Sequence, residues 1–394
     1  MGGKCAYLDI RIGSEPIGRI VLELFWDKAP LACENFLKLS SDGVKVGDQH
    51  FEFRNNSFHR LIQNFMIQAG DVIYGRADQI AENSTQVGKG GCSIYAEESE
   101  IEHTTASDSI HCYGNFKDEN TVEFTHPFML AMANMGTENS NSSQFFITTS
   151  AAQHLNHKHS IFGYVLHGKS VVRTVEHLNV DSDGLPLEPV VIENCGEWIE
   201  SMGVPVFNTC NDKLGGDIYE EFPDDDDHFD KESAEKALEA ATTIKNSGSL
   251  LFKQRDLQNA FFKYKKALRY VNECIPETDV SKEFNLKFND LKAKLYLNMS
   301  LVKFQQEQFE DAQTFATYLL EMPNPSGVDK AKALYRRGNC HYVKRRFEDA
   351  LKDYKACKEL KPNDEAVDQK ITNTMNSLEE AKEKTRKNIA KFFS

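Results

Sequence analysis

What this chain lacks narrows its class. Its nine cysteines are odd in number, scattered, and without a CxxC pair, so neither a disulfide framework nor a zinc ribbon is suggested and the thiols are expected to be reduced. No apolar run approaches the roughly 20 residues that a membrane span needs, and no apolar stretch near the start follows a basic region. A soluble, cytoplasmic protein is the expectation. Position 6 is Ala6 where N-myristoylation wants Ser or Thr, so no lipid anchor is expected. The Asn-x-Ser/Thr triplets at Asn83, Asn141 and Asn298 then read as chance matches. Disorder is not the global answer either: 394 residues, 40% hydrophobic and 27% charged, suffice for two or three domains.

What is present is unevenly spread. Residues 231–394 carry 31 Lys+Arg against 24 Asp+Glu, a net of +7, and the remainder is −21. That asymmetry argues for at least two domains with different partners. Between Asp217 and Asp230 the chain reads DIYEEFPDDDDHFD, where repelling carboxylates and Pro223 oppose a packed core. A spacer at 201–230 is the expectation, with an electrostatic contact to the basic half as the second reading. Before it, short β-rich runs dominate (AYLDIRI, GRIVLELF, SIFGYVLHG, PVVIENCGEW) and only APLACENFLKLSS and the region of VVRTVEHLN look helical. A barrel or sandwich over 1–200 follows. After it come long helical patterns punctuated by proline, so that half is expected to be all α.

The stretch Phe58 to Asp71, FHRLIQNFMIQAGD, carries an arginine and two glutamines through an apolar run, and strict alternation does not sort them into clean faces. Two further segments share its chemistry, MLAMANMGTENSNSSQFFITTS from Met129 and HLNHKHSIFG from His154. Apolar surface with a few hydrogen-bonding groups is the makeup of a peptide or small-molecule cleft. A lone arginine is more often a structural ion-pair partner, and Phe65 and Met66 alone would be core; the cleft reading rests on the three segments together. His154, His157 and His159 match no common metal spacing and have no thiolate nearby. In QVGKGGCSIY, Lys89 is followed by Gly90 instead of the Ser or Thr of a phosphate loop. Neither a metal nor another cofactor is expected.

In this order, FHR…FM.Q.GD, MAN.G, SQFFIT and L…H..FG resemble the cyclophilins, peptidyl-prolyl cis/trans isomerases built on an eight-stranded antiparallel barrel with two helices; the resemblance covers roughly residues 5–200. It implies Arg60 as the catalytic donor, Phe65, Met66, Phe146 and Leu155 as a proline pocket, Gln68, Asn134 and His159 as groups that hold the peptide backbone, and Ala133 and Gln144 as further substrate-binding positions. His154 stands where the family usually has tryptophan, which implies weakened binding of cyclosporin. The stretch 98–113, ESEIEHTTASDSIHCY, reads as an insertion, and GTENSNSSQFF is one residue longer than the family's usual loop.

The helical half repeats a pattern of small and aromatic residues: Ala260, Tyr264, Ala267, then Ala312, Ala316, Leu319, then Ala350, Tyr354, Cys357. Gly248 and Gly338 each precede an anchor alanine by 12 residues. This resembles three tetratricopeptide repeats over 231–363 with insertions between them, closed by a capping helix over 364–394. Calmodulin or membrane-surface binding is the second reading of that last basic helix. Lys245 and Ser249, and Lys332 and Arg336, lie four apart on inner helices. A solvated basic face explains any such pair alone. With Asn298, these residues match the carboxylate clamp of chaperone-binding repeats, which holds Glu-Glu-Val-Asp tails, except that Ser249 replaces the usual asparagine.

Taken whole, the chain resembles the cyclophilin-40 type of Hsp90 co-chaperone, its fungal members in particular. The resemblance implies docking on the tail of Hsp90, with Hsp70 as another partner, and an isomerase acting on proline-containing clients. An adaptor or holdase with weak isomerase activity is the alternative. Nucleic-acid binding has no support in the modest basic excess.

Overall fold

The computed structural model describes residues 4–83, 85–102, 111–203 and 212–392, with side chains described as far as residue 387. The chain divides into two compact units, Met1–Phe207 and Asn208–Ser394. Part of the expected insertion, 103–110, and the stretch 204–211 at the division lie outside the described residues.

The first unit runs β1 (Cys5–Ile12), β2 (Glu15–Leu24), α1 (Pro30–Ser41), β3 (Val44–Val46), β4 (Gln49–Phe51), β5 (Arg60–Ile62), β6 (Met66–Ala69), β7 (Gly90–Cys92), α2 (Glu98–Glu102), β8 (His111–Tyr113), β9 (Met129–Met132), β10 (Phe145–Thr148), β11 (Ile161–His167), α3 (Lys169–Glu176) and β12 (Val190–Trp198). Eight strands form one antiparallel sheet in the order β12-β1-β2-β11-β9-β10-β6-β5. Just before β5, Asn55 and Phe58 donate their N–H groups to Ile192 and Val190 of β12 at 2.8 and 2.9 Å. The two ends of the sheet therefore meet, and the edges are closed as in a barrel. Phe36 of α1 plugs the interior beside Phe53, Phe58, Phe145 and Phe162, its ring edge-on to Phe145 at 5.0 Å.

β1 alternates half-buried and buried residues, as a strand with one solvated face should. β6, β9 and β10 do not. Ile67, Leu130 and Ile147 point into the main core, while Met66, Met129, Ala131 and Phe146 join a second apolar cluster on the other face. Both faces of these strands are covered, which is why FHRLIQNFMIQAGD shows no amphipathic period. Gln63 interrupts the run for a different reason from Arg60 and Gln68: it sits in the turn of the β5–β6 hairpin, next to Asn64 with its positive φ of 57°.

The second unit contains α4 (Ala234–Lys253), α5 (Leu257–Cys274), α6 (Lys282–Gln305), α7 (Phe309–Glu321), α8 (Gly327–Val343), α9 (Phe347–Leu360) and α10 (Glu365–Phe392), three packed helix pairs and a final helix against α9. Ser233, Asp256, Ser281 and Ser326 cap four of the helices by accepting a backbone N–H of the first turn. The nine anchor residues are all buried. A methyl group on Gly248 or Gly338 would lie within 3 Å of the Tyr264 or Tyr354 ring, so the helices of these pairs meet only where a side chain is missing. The insertion expected between the first and second repeats lengthens α6, which has 24 residues against the 17 of α8.

The acidic stretch is not a bare spacer. Asp217 is buried between Lys263 and Lys266 of α5, at 2.5 and 2.9 Å. Glu221 pairs with Arg269 at 2.8 Å, and the Tyr270 hydroxyl donates to Asp226 at 2.6 Å. Tyr219 and Phe229 lie against the Tyr270 ring. The electrostatic contact, the second of the two readings, is thus the one these residues make. From Asn208 onward the chain holds 32 basic and 33 acidic residues, so most of the apparent basic excess is neutralised inside this unit.

Candidate functional site

In the first unit, the β5–β6 hairpin sets Arg60 directly across from Gln68, and β10 sets Phe146 across from Gln68 on the other side. Arg60 is exposed, with no ion pair holding it among the described residues. Gln68 donates to Gln144 Oε1 at 2.8 Å, and Gln144 donates to the carbonyls of Gly88 and Gly90 at 2.9 and 2.7 Å. The glycine loop is in turn fixed by Asp71, whose buried carboxylate accepts N–H bonds from Ile73, Tyr74, Gly88 and Gly90. Only glycine fits at 90, because a Cβ there would stand 2.4 Å from Asp71 Oδ1. With both amide protons of Gln144 engaged, the amide of Gln68 is oriented too.

Below this polar chain lies the apolar floor. Met66 and Phe146 are buried, Phe65, Ala133 and Leu155 are half-buried around them, and Phe124 stacks on Phe146 at 6.0 Å. His159 meets the Phe146 ring edge-on at 5.4 Å. Its Nδ1 lies 3.0 Å from the Met132 carbonyl, which can only accept, so Nδ1 carries the proton. Burial lowers the His159 pKa below its usual 6.5, leaving a neutral ring at pH 7 with Nε2 as an acceptor. Exposed His154 lies over Phe65 at 5.2 Å between ring centroids. The Asn134 amide donates to Lys158 O at 2.8 Å, and Asn134, Ala133, Gln68 and Gln144 also line an adjoining cavity of about 150 Å³. All the expected cleft residues therefore converge. Phe124 and Asp71 were not singled out from sequence; only their distant partners mark them.

In the second unit, Lys332 and Arg336 of α8 line a cavity of about 530 Å³ with Leu301, Phe304, Tyr335 and Lys361. Burial lowers the Arg336 pKa to about 10. The guanidinium donates to the Leu297 carbonyl, next to half-buried Asn298, and meets no carboxylate among the described residues. Lys332 reaches Asp329 at 3.7 Å. Burial and the nearby Lys294 both lower the pKa of Lys245, which also lacks a carboxylate partner among the described residues. Ser249 Oγ is occupied, donating to Lys245 O at 3.1 Å and accepting from the Tyr264 hydroxyl at 3.3 Å. Half-desolvated cations without counterions make a site for an anion.

Among the described residues no group of His, Cys, Asp and Glu can hold a metal ion, and no helix is long and apolar enough to cross a membrane.

Comparison with known proteins matches residues 7–197 to the family described as cyclophilin type peptidyl-prolyl cis-trans isomerase/CLD, and residues 331–364 to the tetratricopeptide repeat. The chain is 56% identical over 391 residues to the peptidyl-prolyl cis-trans isomerase CYP7 of Saccharomyces cerevisiae, covering 98% of both chains. It is 34% identical over 394 residues to the peptidyl-prolyl cis-trans isomerase D of Kluyveromyces lactis, again covering 98% of both.

Proposed function

The chain belongs to the cyclophilin-type peptidyl-prolyl cis-trans isomerases, of the kind that carries tetratricopeptide repeats, and from that membership we propose a cytoplasmic co-chaperone. Its barrel isomerises X–Pro bonds in client proteins at the cleft around Arg60. Its three helix pairs, read as three repeats over 231–363, hold the Glu-Glu-Val-Asp tail of Hsp90, and Hsp70 is a second candidate for the same groove.

Rotation about a peptide bond is resisted by roughly 18–20 kcal/mol because of its partial double-bond character. An X–Pro bond needs no nucleophile or proton transfer to turn, only preferential binding of the twisted state. Phe65, Met66, Phe146 and Leu155 grip the proline ring away from water. The Arg60 guanidinium, without a carboxylate partner among the described residues, donates to the proline nitrogen as it becomes pyramidal. Gln68, Asn134 and neutral His159 hold the flanking backbone, and Ala133 lines the cleft. With histidine at 154 in place of an indole, binding of cyclosporin is weak. Arg60→Ala is expected to lower kcat/KM toward a proline peptide by about 100-fold, mainly in kcat. Wild-type turnover in that variant would remove Arg60 from the mechanism.

One observation carries the docking half: Arg336 is desolvated without a carboxylate partner among the described residues, beside Lys332 in a cavity open to a ligand. A peptide C-terminus supplies the missing charge. The adaptor reading with weak isomerase activity separates from the enzyme reading by function in cells: an adaptor tolerates Arg60→Ala and fails with Lys332→Ala.

A further inference from the structure

The hairpin bearing Arg60, Phe65, Met66 and Gln68 is tied down from behind by a group with no place in the cleft itself. Glu176, at the end of α3, is 1% exposed. One of its oxygens accepts the Asn64 N–H at 2.7 Å, at the tip of the β5–β6 turn. The other accepts from Arg173 at 2.9 Å. The same Arg173 nitrogen donates to the Thr149 carbonyl at 2.8 Å, just past the end of β10, and its guanidinium lies 4.9 Å from the Phe128 ring centroid. The His177 ring lies beside this carboxylate, its Nδ1 4.0 Å from the nearer oxygen and 2.7 Å from the Arg173 carbonyl.

One half-buried ion pair thus reaches both strands that floor the proline pocket. The hairpin tip and the end of β10 are further joined by Thr149 N–H to Phe65 O at 2.9 Å and by the Ser150 hydroxyl to Asn64 O at 2.7 Å. In the three-residue turn from Gln63 to Phe65 the Phe65 N–H bonds back to Ile62 O at 3.1 Å, and the N–H of Asn64, which is in the left-handed region, finds its partner in Glu176. Phe65 follows directly. At the other end of the hairpin, Arg60 has separate support: His59 N–H bonds to Gln68 O at 3.0 Å and Leu61 N–H to Gly184 O at 2.8 Å.

We infer that Glu176 is a positioning residue for the isomerase: through Asn64 it fixes where Phe65 stands against the apolar cluster of Met66 and Phe146, and Arg173 holds its carboxylate in place. The inference rests on the proline cleft proposed above. A shift of the hairpin tip moves Phe65 but not Arg60, so its cost falls on substrate binding in ground and transition states alike, which raises KM and leaves kcat nearly constant.

The test measures kcat, KM and the melting transition of the full chain for Glu176→Gln, for Glu176→Gln with Arg173→Leu, and for Arg60→Ala. In Glu176→Gln the amide cannot accept from both Asn64 and Arg173, and KM is expected to rise about five- to tenfold with kcat within about twofold. The double variant removes the competing donor, so its amide oxygen again accepts from Asn64. KM is then expected within about twofold of wild type, although the lost ion pair leaves the melting transition low. Unchanged KM in Glu176→Gln overturns the inference. So does a KM that tracks the melting transition across both variants, since that is a purely structural role. Full activity in Arg60→Ala overturns the cleft reading itself.

Discussion

Ser249 is the position where this chain departs from the clamp it otherwise matches, and its surroundings say how. Its hydroxyl already serves the Lys245 carbonyl and the Tyr264 hydroxyl, so little of it is left for a bound carboxylate. Ser249→Asn places an amide donor farther out and is expected to tighten binding of a Glu-Glu-Val-Asp peptide about fivefold, read by titration. An unchanged or weaker affinity would mean that residue 249 does not touch the tail. Residues of this kind can be proposed from the sequence because short motifs carry them. Asp71, Glu176 and the Gln68–Gln144 bond cannot, because each acts on a partner fixed only by the fold: Glu176 meets Asn64 across 112 residues, and Gln68 meets Gln144 across 76.

At the scale of elements, the segment from Asp217 to Asp230 is where composition misleads. Its carboxylates read as a solvated run, yet Asp217 and Glu221 meet Lys263, Lys266 and Arg269 of α5, and nothing local announces that Lys263 and Lys266 face inward. Helices with capping residues and anchor alanines, and strands with alternating burial, are visible in the sequence because their causes are local. A buried triad is not. Asp217→Asn takes from two buried ammonium groups the carboxylate they share and is expected to cost about 3–5 kcal/mol in denaturant unfolding of the helical unit; a change below about 1 kcal/mol would contradict the burial. Acid should act on the same segment. Burial alone would raise the Asp226 pKa, but the bonds from Tyr270, His228 and Glu220 outweigh it and hold it below the ordinary 3.8. A depressed carboxylate stabilises the fold above its unfolded pKa, and that contribution is lost as the pH falls below 3.8 through the folded value. Tyr270→Phe should therefore flatten the acid side of the stability curve of the helical unit, and an unchanged acid limb would assign the loss to other groups.

For the whole molecule, the first reading of the charge map gave two halves of opposite sign, and the fold redraws it. With the acidic segment assigned to the unit it packs on, residues from 208 onward are nearly neutral, with 32 basic and 33 acidic side chains, and the barrel unit carries the excess of acid. Attraction of an acidic tail to the repeats then depends on a few placed cations, Lys245, Lys332 and Arg336, and not on the bulk charge of the unit. The two activities are separable on this account: Lys332→Ala leaves turnover of proline peptides at the wild-type rate, and Arg60→Ala leaves tail binding intact. The most direct test of the docking claim is calorimetric titration of the full chain with a peptide ending in Glu-Glu-Val-Asp, beside the same peptide amidated at its C-terminus. Micromolar binding that weakens at least about 30-fold on amidation is the result expected of a carboxylate clamp; equal affinity for the two peptides, or binding to neither, would contradict it.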